Sequence, residues 1–96
     1  MGMFSDLHRI EWQGATIEIE VRGVGFSGIQ YDLVINDQRV DRIGGSSGTF
    51  FLRGVIPETE GQPPKKVKVK IRQHFLSGTT CFLMDGEREI QIPQIF

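Results

Sequence analysis

A stretch that occurs twice sets the strongest limit on what this chain can fold into. Ile17-Glu-Ile-Glu-Val21-Arg22 leads through Phe26-Ser27-Gly28 to Leu33-Val-Ile35-Asn36-Asp37, and Val67-Lys-Val-Lys-Ile71-Arg72 leads through Leu76-Ser77-Gly78 to Phe82-Leu-Met84-Asp85-Gly86. The copies lie 50 positions apart up to the glycine, as in Ile17 and Val67 or Gly28 and Gly78. Afterwards the offset is 49, as in Asn36 and Asp85, which implies one residue inserted at a turn. Each copy alternates apolar and polar residues, turns at Ser-Gly, returns as an apolar run and turns again at Asn-Asp or Asp-Gly. A period of two bounded by turn residues is the signature of strands. The chain therefore reads as two repeated meanders, over about residues 16–43 and about 66–92.

The rest of the chain extends this reading. Residues 1–6 read as a frayed start whose Met3 and Phe4 can dock on a core. Ile10 and Trp12 alternate with Arg9, Glu11 and Gln13, and Gln13-Gly14 offers a turn. From Thr16 to Arg22, Ile17, Ile19 and Val21 share one face, and Glu18, Glu20 and Arg22 the other. Tyr31 to Ile35 is apolar on successive positions, so both its faces are expected to be covered. Asn36-Asp37 suits a tight turn because both residues tolerate φ > 0. Gln38 to Ile43 reads as the returning strand, Gly44 to Gly48 as a flexible loop, Thr49 to Ile56 as a buried strand and Pro57 to Lys66 as a long exposed loop. Ile90, Ile92, Pro93 and Ile95 close the chain, its last residues pairing at an edge. No window carries the i, i+3, i+4, i+7 apolar pattern of an amphipathic helix.

These elements predict one domain over residues 1–96: an all-β antiparallel sandwich or open barrel of about seven or eight strands. The alternation suggests pairing Val21 with Leu33 and Ile19 with Ile35, which sets Arg22 across from Asp32. In the second copy it pairs Ile71 with Phe82 and brings Arg72 near Cys81. Phe26, Tyr31, Phe50, Phe51, Phe75 and Phe82 are assigned to the core.

Composition narrows the function classes. A net charge of −1 and a pI near 6.1 give no long-range attraction for nucleic acid or for an anionic membrane surface. The lone Cys81 excludes an internal disulfide. No apolar run reaches the roughly 18 residues of a spanning helix, and no signal-peptide pattern opens the chain. At Met1-Gly2, Asp6 stands where a myristoylation motif wants Ser or Thr. A cytoplasmic protein is expected, with no cofactor.

Gly23-Val-Gly25-Phe-Ser-Gly28 matches G-x-G-x-x-G, but a strand is expected to follow where the dinucleotide motif needs a helix N-terminus. Cys81 would need a base and a lowered pKa to act as a nucleophile; His74 is the nearest base expected. His8 and His74 lack the companions of a metal site. Glu58 and Glu60 sit in a loop, and no spacing pairs two carboxylates for acid and base work. No catalytic or metal-binding residue is assigned, and the chain reads as a non-enzyme.

The remaining candidate is a basic stripe. Lys66, Lys68, Lys70 and Arg72 alternate with Val67, Val69 and Ile71, placing like charges about 6.6 Å apart on one strand face, with Lys65 beside them. Such a stripe can bind an acidic partner or a polyanion, guard an exposed sheet edge, or lie opposite the acidic stripe Glu18, Glu20 of the sister strand or of a second subunit.

Ser77-Gly78, the apolar strand, Asp85-Gly86-Glu87, then Ile90 and Ile92-Pro93 resemble the repeats of the Fas apoptotic inhibitory molecule family. So do Phe26-Ser27-Gly28 to Asn36-Asp37 and the opening His8-Arg-Ile-Glu-Trp12. The resemblance implies a non-enzymatic all-β protein acting through protein contacts and by restraining aggregation. The expected function is thus binding of protein partners, with self-association as one form of it and Lys65, Lys66, Lys68, Lys70 and Arg72 as the contact residues. The alternative is a module for a polyanion or carbohydrate on the same strand, with nucleic acid disfavoured by the charge balance.

Overall fold

The computed structural model describes residues 5–24, 28–74 and 78–96, with Ser5 and Val24 described by their backbone alone. The expectations for Met3, Phe4, Phe26, Ser27, Phe75, Leu76 and Ser77 lie outside the described residues. The strands β1 (Ser5–Trp12), β2 (Ala15–Val24), β3 (Gly28–Ile35) and β4 (Gln38–Gly45) form one antiparallel sheet in chain order. The strands β5 (Gly48–Ile56), β6 (Lys65–His74), β7 (Gly78–Asp85) and β8 (Arg88–Ile92) form a second sheet with the same order. Two antiparallel meanders are what the duplicated alternation predicts, and the structure packs them face to face. Asn36 and Asp37 turn with φ of 50° and 69°, the geometry that matches the right-handed twist of a two-residue hairpin.

The repeat holds more closely than the sequence alone suggests. β2 and β6, β3 and β7, and the starts of β4 and β8 all differ by 50 positions, so Asn36-Asp37 corresponds to Gly86-Glu87. The extra residue is not in that turn. It is Val40, a bulge in β4: Val34 pairs with Arg39 and Leu33 with Asp41, whereas Met84 pairs with Glu89 and Leu83 with Ile90. The expected loop Gly44 to Gly48 shrinks to Ser46-Ser47, because β4 runs to Gly45 and β5 starts at Gly48.

Both central hairpins depart from the expected register. Ile17 pairs with Ile35, Ile19 with Leu33 and Val21 with Tyr31, a slip of two residues that keeps the inward face and sets Arg22 against Gln30. In the second hairpin Ile71 pairs with Cys81, Lys70 with Phe82 and Arg72 with Thr80. A slip of one residue exchanges the faces of a strand, so Cys81 points inward and Phe82 outward. The physical reason is shared: Gly28 and Gly78 pair with Val24 and His74, so each glycine opens the return strand instead of sitting in the turn.

The sheets pack through one apolar cluster. Five positions repeat across the layers at the offset of 50, Ile17 with Val67, Ile19 with Val69, Val21 with Ile71, Tyr31 with Cys81 and Leu33 with Leu83, and all ten are buried. Phe50 stacks on Tyr31 with ring centroids 5.6 Å apart. The Tyr31 hydroxyl donates across the layers to Gln73 Oε1 at 2.7 Å, and Gln73 Nε2 donates to the carbonyls of His74 and Gly78. As expected, Tyr31 to Ile35 is buried on both faces. The expected exposed loop over 57–66 ends at 64, because Lys65 and Lys66 belong to β6, and it folds on itself through backbone hydrogen bonds between Thr59 and Gln62.

The edges are partly closed. The chain after β8 crosses to the first sheet, where Arg9 N donates to the Pro93 carbonyl at 3.0 Å and Ile95 N to that of Leu7 at 2.8 Å. The expected edge pairing of the last residues is therefore with β1. On the other side, Asp41 Oδ2 accepts from Arg53 N of β5 at 2.8 Å.

Two tests of this packing follow from single positions. A Cβ on Gly54 would come within 2.7 Å of Val40 Cγ2 and 3.0 Å of Ile35 Cδ1. Gly54→Ala should cost about 1–3 kcal/mol by overpacking, and adding Val40→Ala should recover part of the loss in a urea-denaturation cycle. His8 is 2% exposed on β1, and among the described residues neither ring nitrogen has a hydrogen-bond partner. Burial lowers its pKa below 6.5, and the nearby Ile92 backbone and Asp6 carboxylate counter only part of this. The folded state thus disfavours protonated His8, so as pH falls below 6.5 the unfolded chain binds more protons and stability declines. Urea midpoints between pH 7 and 5 should show that decline, and His8→Leu should flatten it.

Candidate binding face

The outer faces of the two sheets handle charge in opposite ways. On the first sheet, Arg39 Nε and Arg42 Nε reach the Asp32 carboxylate at 2.9 and 2.8 Å. Arg39 also meets Glu20 at 3.1 Å, Arg22 meets Glu20 at 3.3 Å and Arg9 meets Glu18 at 2.7 Å. Four arginines thus answer three carboxylates, Glu18, Glu20 and Asp32. Asp32 is fully buried beneath its arginines. Burial pushes its carboxyl up, but hydrogen bonds and charge from Arg42 and Arg39 outweigh this and hold it below 3.8.

On the second sheet the answer among the described residues is a single ion pair. β6 is a central strand between β5 and β7, and its alternation puts Val67, Val69, Ile71 and Gln73 inward. Lys66, Lys68, Lys70 and Arg72 share the outer face. Arg53 of β5 stands directly opposite Lys68, and Val55 opposite Lys66. Like charges in register across strands destabilise a sheet, yet here they sit side by side. Among the described residues Lys70 alone of these cations has a carboxylate within salt-bridge reach, Glu89 Oε2 at 2.7 Å.

Apolar groups are interleaved with the charges. Lys68 Nζ lies 4.6 Å from the Phe51 ring centroid and Lys70 Nζ 5.4 Å from that of Phe82, within cation–π range. At one end of the face, Val55 and Met84, with Arg53, Lys66 and Lys68, line an open cleft of about 590 Å³.

The structure therefore brings together Lys66, Lys68, Lys70 and Arg72 and separates Lys65 from them. Lys65 lies over the Trp12 ring at 6.0 Å, donates to Gln13 Oε1, and lines a different cleft of about 330 Å³ with Asn36 and Glu60. Two expected explanations of the stripe are corrected. It guards no edge, because β6 is paired on both sides. Glu18 and Glu20 do not neutralise it, because they lie on the far face of the other sheet among their own arginines.

Phe51, Arg53, Val55, Phe82 and Met84 belong to this face and were not expected there. For β5 the signal was present: Phe50, Leu52, Gly54 and Ile56 alternate as an inner row, which leaves Phe51, Arg53 and Val55 outside. For β7 it was hidden by the one-residue register error.

Elsewhere the chemistry is quiet. Cys81 is buried and its thiol is pushed up to about 12 by burial, with a smaller contribution from Asp6. His74 is exposed on the opposite face of β6 and pairs with Gly78, so it does not meet Cys81. Gly23 and Gly28 lie in paired strands, Gly25 lies outside the described residues, and among the described residues no helix follows the motif. Among the described residues no cluster of three or more His, Cys, Asp or Glu side chains is placed to hold a metal, and no helix is long and apolar enough to cross a membrane.

Fold and surface together define a two-sheet antiparallel β domain with one outer face whose charges are paired and one basic outer face. Compared with protein-family models, curated proteins and solved structures, the chain matches none.

The contrast between the faces is testable through Asp32. Its lowered pKa means that the ionised form stabilises the fold above pH 3.8, a contribution lost as pH falls through the lower folded value. Asp32→Asn should cost about 2 kcal/mol at pH 7, since it leaves two half-exposed arginines without their carboxylate. The gap between variant and wild type, read from denaturation midpoints, should close progressively below pH 4.

Proposed function

We propose that this domain is a non-enzymatic binding module whose outer face on the second sheet takes an acidic protein partner in the cytoplasm. The observation that carries the reading is the uncompensated charge: among the described residues no carboxylate lies within salt-bridge reach of Arg53, Lys66, Lys68 or Arg72, which share one sheet face in a chain of net charge −1. A sheet that holds like charges in register gives up stability, and a complementary anionic surface restores it on binding. The first sheet answers its own charges, so two copies gain nothing by setting that face against this one. Because β6 is paired on both sides, the contact is made through side chains and not by adding a strand to β6.

The aromatic rings decide between partner classes. A single-stranded nucleic acid needs open rings on which bases can stack, whereas the Phe51 and Phe82 rings are approached by Lys68 and Lys70. Covered rings and ammonium groups suit carboxylates. Restraint of protein aggregation, implied by the resemblance to the Fas apoptotic inhibitory molecule family, would in this reading act through the same face.

Isotope-labelled protein titrated with polyglutamate tests the proposal by amide shifts. Shifts should concentrate in residues 49–55, 66–72 and 80–84, weaken as salt screens the contact, and largely vanish in the folded variant Lys66→Ser, Lys68→Ser, Arg72→Ser. Shifts on the first sheet, or none, would overturn it. Tighter binding of oligothymidylate than of polyglutamate would make nucleic acid the partner instead.

A further inference from the structure

We infer that the cleft between Val55 and Met84 is an anchor pocket for one apolar side chain of the acidic partner. Its recognition element is then an extended segment with an apolar residue and Asp or Glu two positions to one side. The inference rests on the binding reading above and specifies its ligand.

The fold already contains half of the arrangement. Lys70 lies 5.4 Å from the Phe82 ring centroid and 2.7 Å from the Glu89 carboxylate, forming an aromatic–ammonium–carboxylate set within the chain. Lys68 repeats the first two members, 4.6 Å from the Phe51 ring centroid, and among the described residues lacks the third. A carboxylate from outside completes the same set at Lys68. Arg53, opposite Lys68 in register, offers a planar donor fork to the same acid.

The cleft beside these cations supplies the apolar part. Val55 is 47% exposed, a large apolar group standing on the strand face at Lys66. Met84 is partly buried on the same cleft, and its flexible thioether adapts to differently shaped neighbours. A volume of about 590 Å³ accepts a large side chain, and the open shape admits one laid in from solvent without enclosing a long alkyl chain. Alternate side chains of an extended peptide recur about every 6.6 Å, the spacing of Lys66 and Lys68 along β6. The cleft lies at the Lys66 end of the face, so when the apolar side chain fills it, an acid two residues along in the direction of Lys70 and Arg72 falls on a cation.

Two fluorescent peptides of about nine residues test this by anisotropy: one alternating Glu and Gly around a central Leu, the other identical but with Ser at the centre. The Leu peptide should bind about tenfold tighter, as burial of one aliphatic side chain allows. Met84→Gln should remove most of that difference and leave the Ser peptide unchanged. Lys68→Gln should weaken both, with the melting transition confirming that each variant folds. Equal affinity for the two peptides, or a Leu preference untouched by Met84→Gln, would overturn the pocket while leaving an anion-binding face in place. Failure of both peptides to bind would overturn the pocket and the function proposed for the face together.

Discussion

The structure depends on two apolar strand faces that cannot be left in water. Each meander buries one face, and neither is covered by anything within its own sheet, so the two sheets must close on each other. Hydrophobic burial is non-directional; what gives this closure its register is the alternation, which makes every inward position count. The rows Ile17, Ile19, Val21 and Val67, Val69, Ile71 recur at the same offset and are buried to the same degree. Tyr31 and Cys81 occupy equivalent places with unequal volumes, and the larger side chain reaches across to Gln73. The layers are thus equivalent in pattern and complementary in shape.

Once the inner faces are fixed, the outer faces are free to differ, and there the copies part. On the first sheet the acidic positions of β2 and β3 are matched by arginines from β1, β2 and β4, tightly enough to exclude water from Asp32. The equivalents of Glu18, Glu20 and Asp32 in the second copy are Lys68, Lys70 and Phe82. The same scaffold positions carry a sealed ionic network on one side and an open basic and aromatic surface on the other. Nothing in the packing of the core requires that second arrangement, because the side chains concerned point away from it.

Much of the fold was legible because alternation is a local signal. Strand identity, the meander order and the burial of Tyr31 to Ile35 all follow from period two and turn residues. Register was not legible to the same degree, since it depends on whether a glycine ends a turn or begins a strand, and Gly28 and Gly78 do the latter. For β2 and β3 the error was even and harmless; for β6 and β7 it was odd and hid Phe82 and Met84 from the basic face. The one-residue difference between the copies was visible, but its place was not: a bulge at Val40 and an insertion in the next turn leave nearly the same trace in a sequence. Lys66, Lys68, Lys70 and Arg72 were found because they share one strand, whereas Arg53 and Val55 join them only through cross-strand pairing.

The treatment of the edges bears on which surface is available to a partner. An open sheet edge pairs readily with any extended chain and so offers little discrimination. Here the chain end after β8 hydrogen-bonds to β1, and Asp41 takes the Arg53 amide of β5, so parts of both edges are already engaged from within. The basic face lies on the middle of its sheet, where the backbone groups of β6 are committed to β5 and β7. Recognition at such a place must come from side-chain chemistry alone. It therefore discriminates by charge sign, by the spacing of cations along a strand and by the shape between Val55 and Met84, and a plain extended backbone meets no complement there.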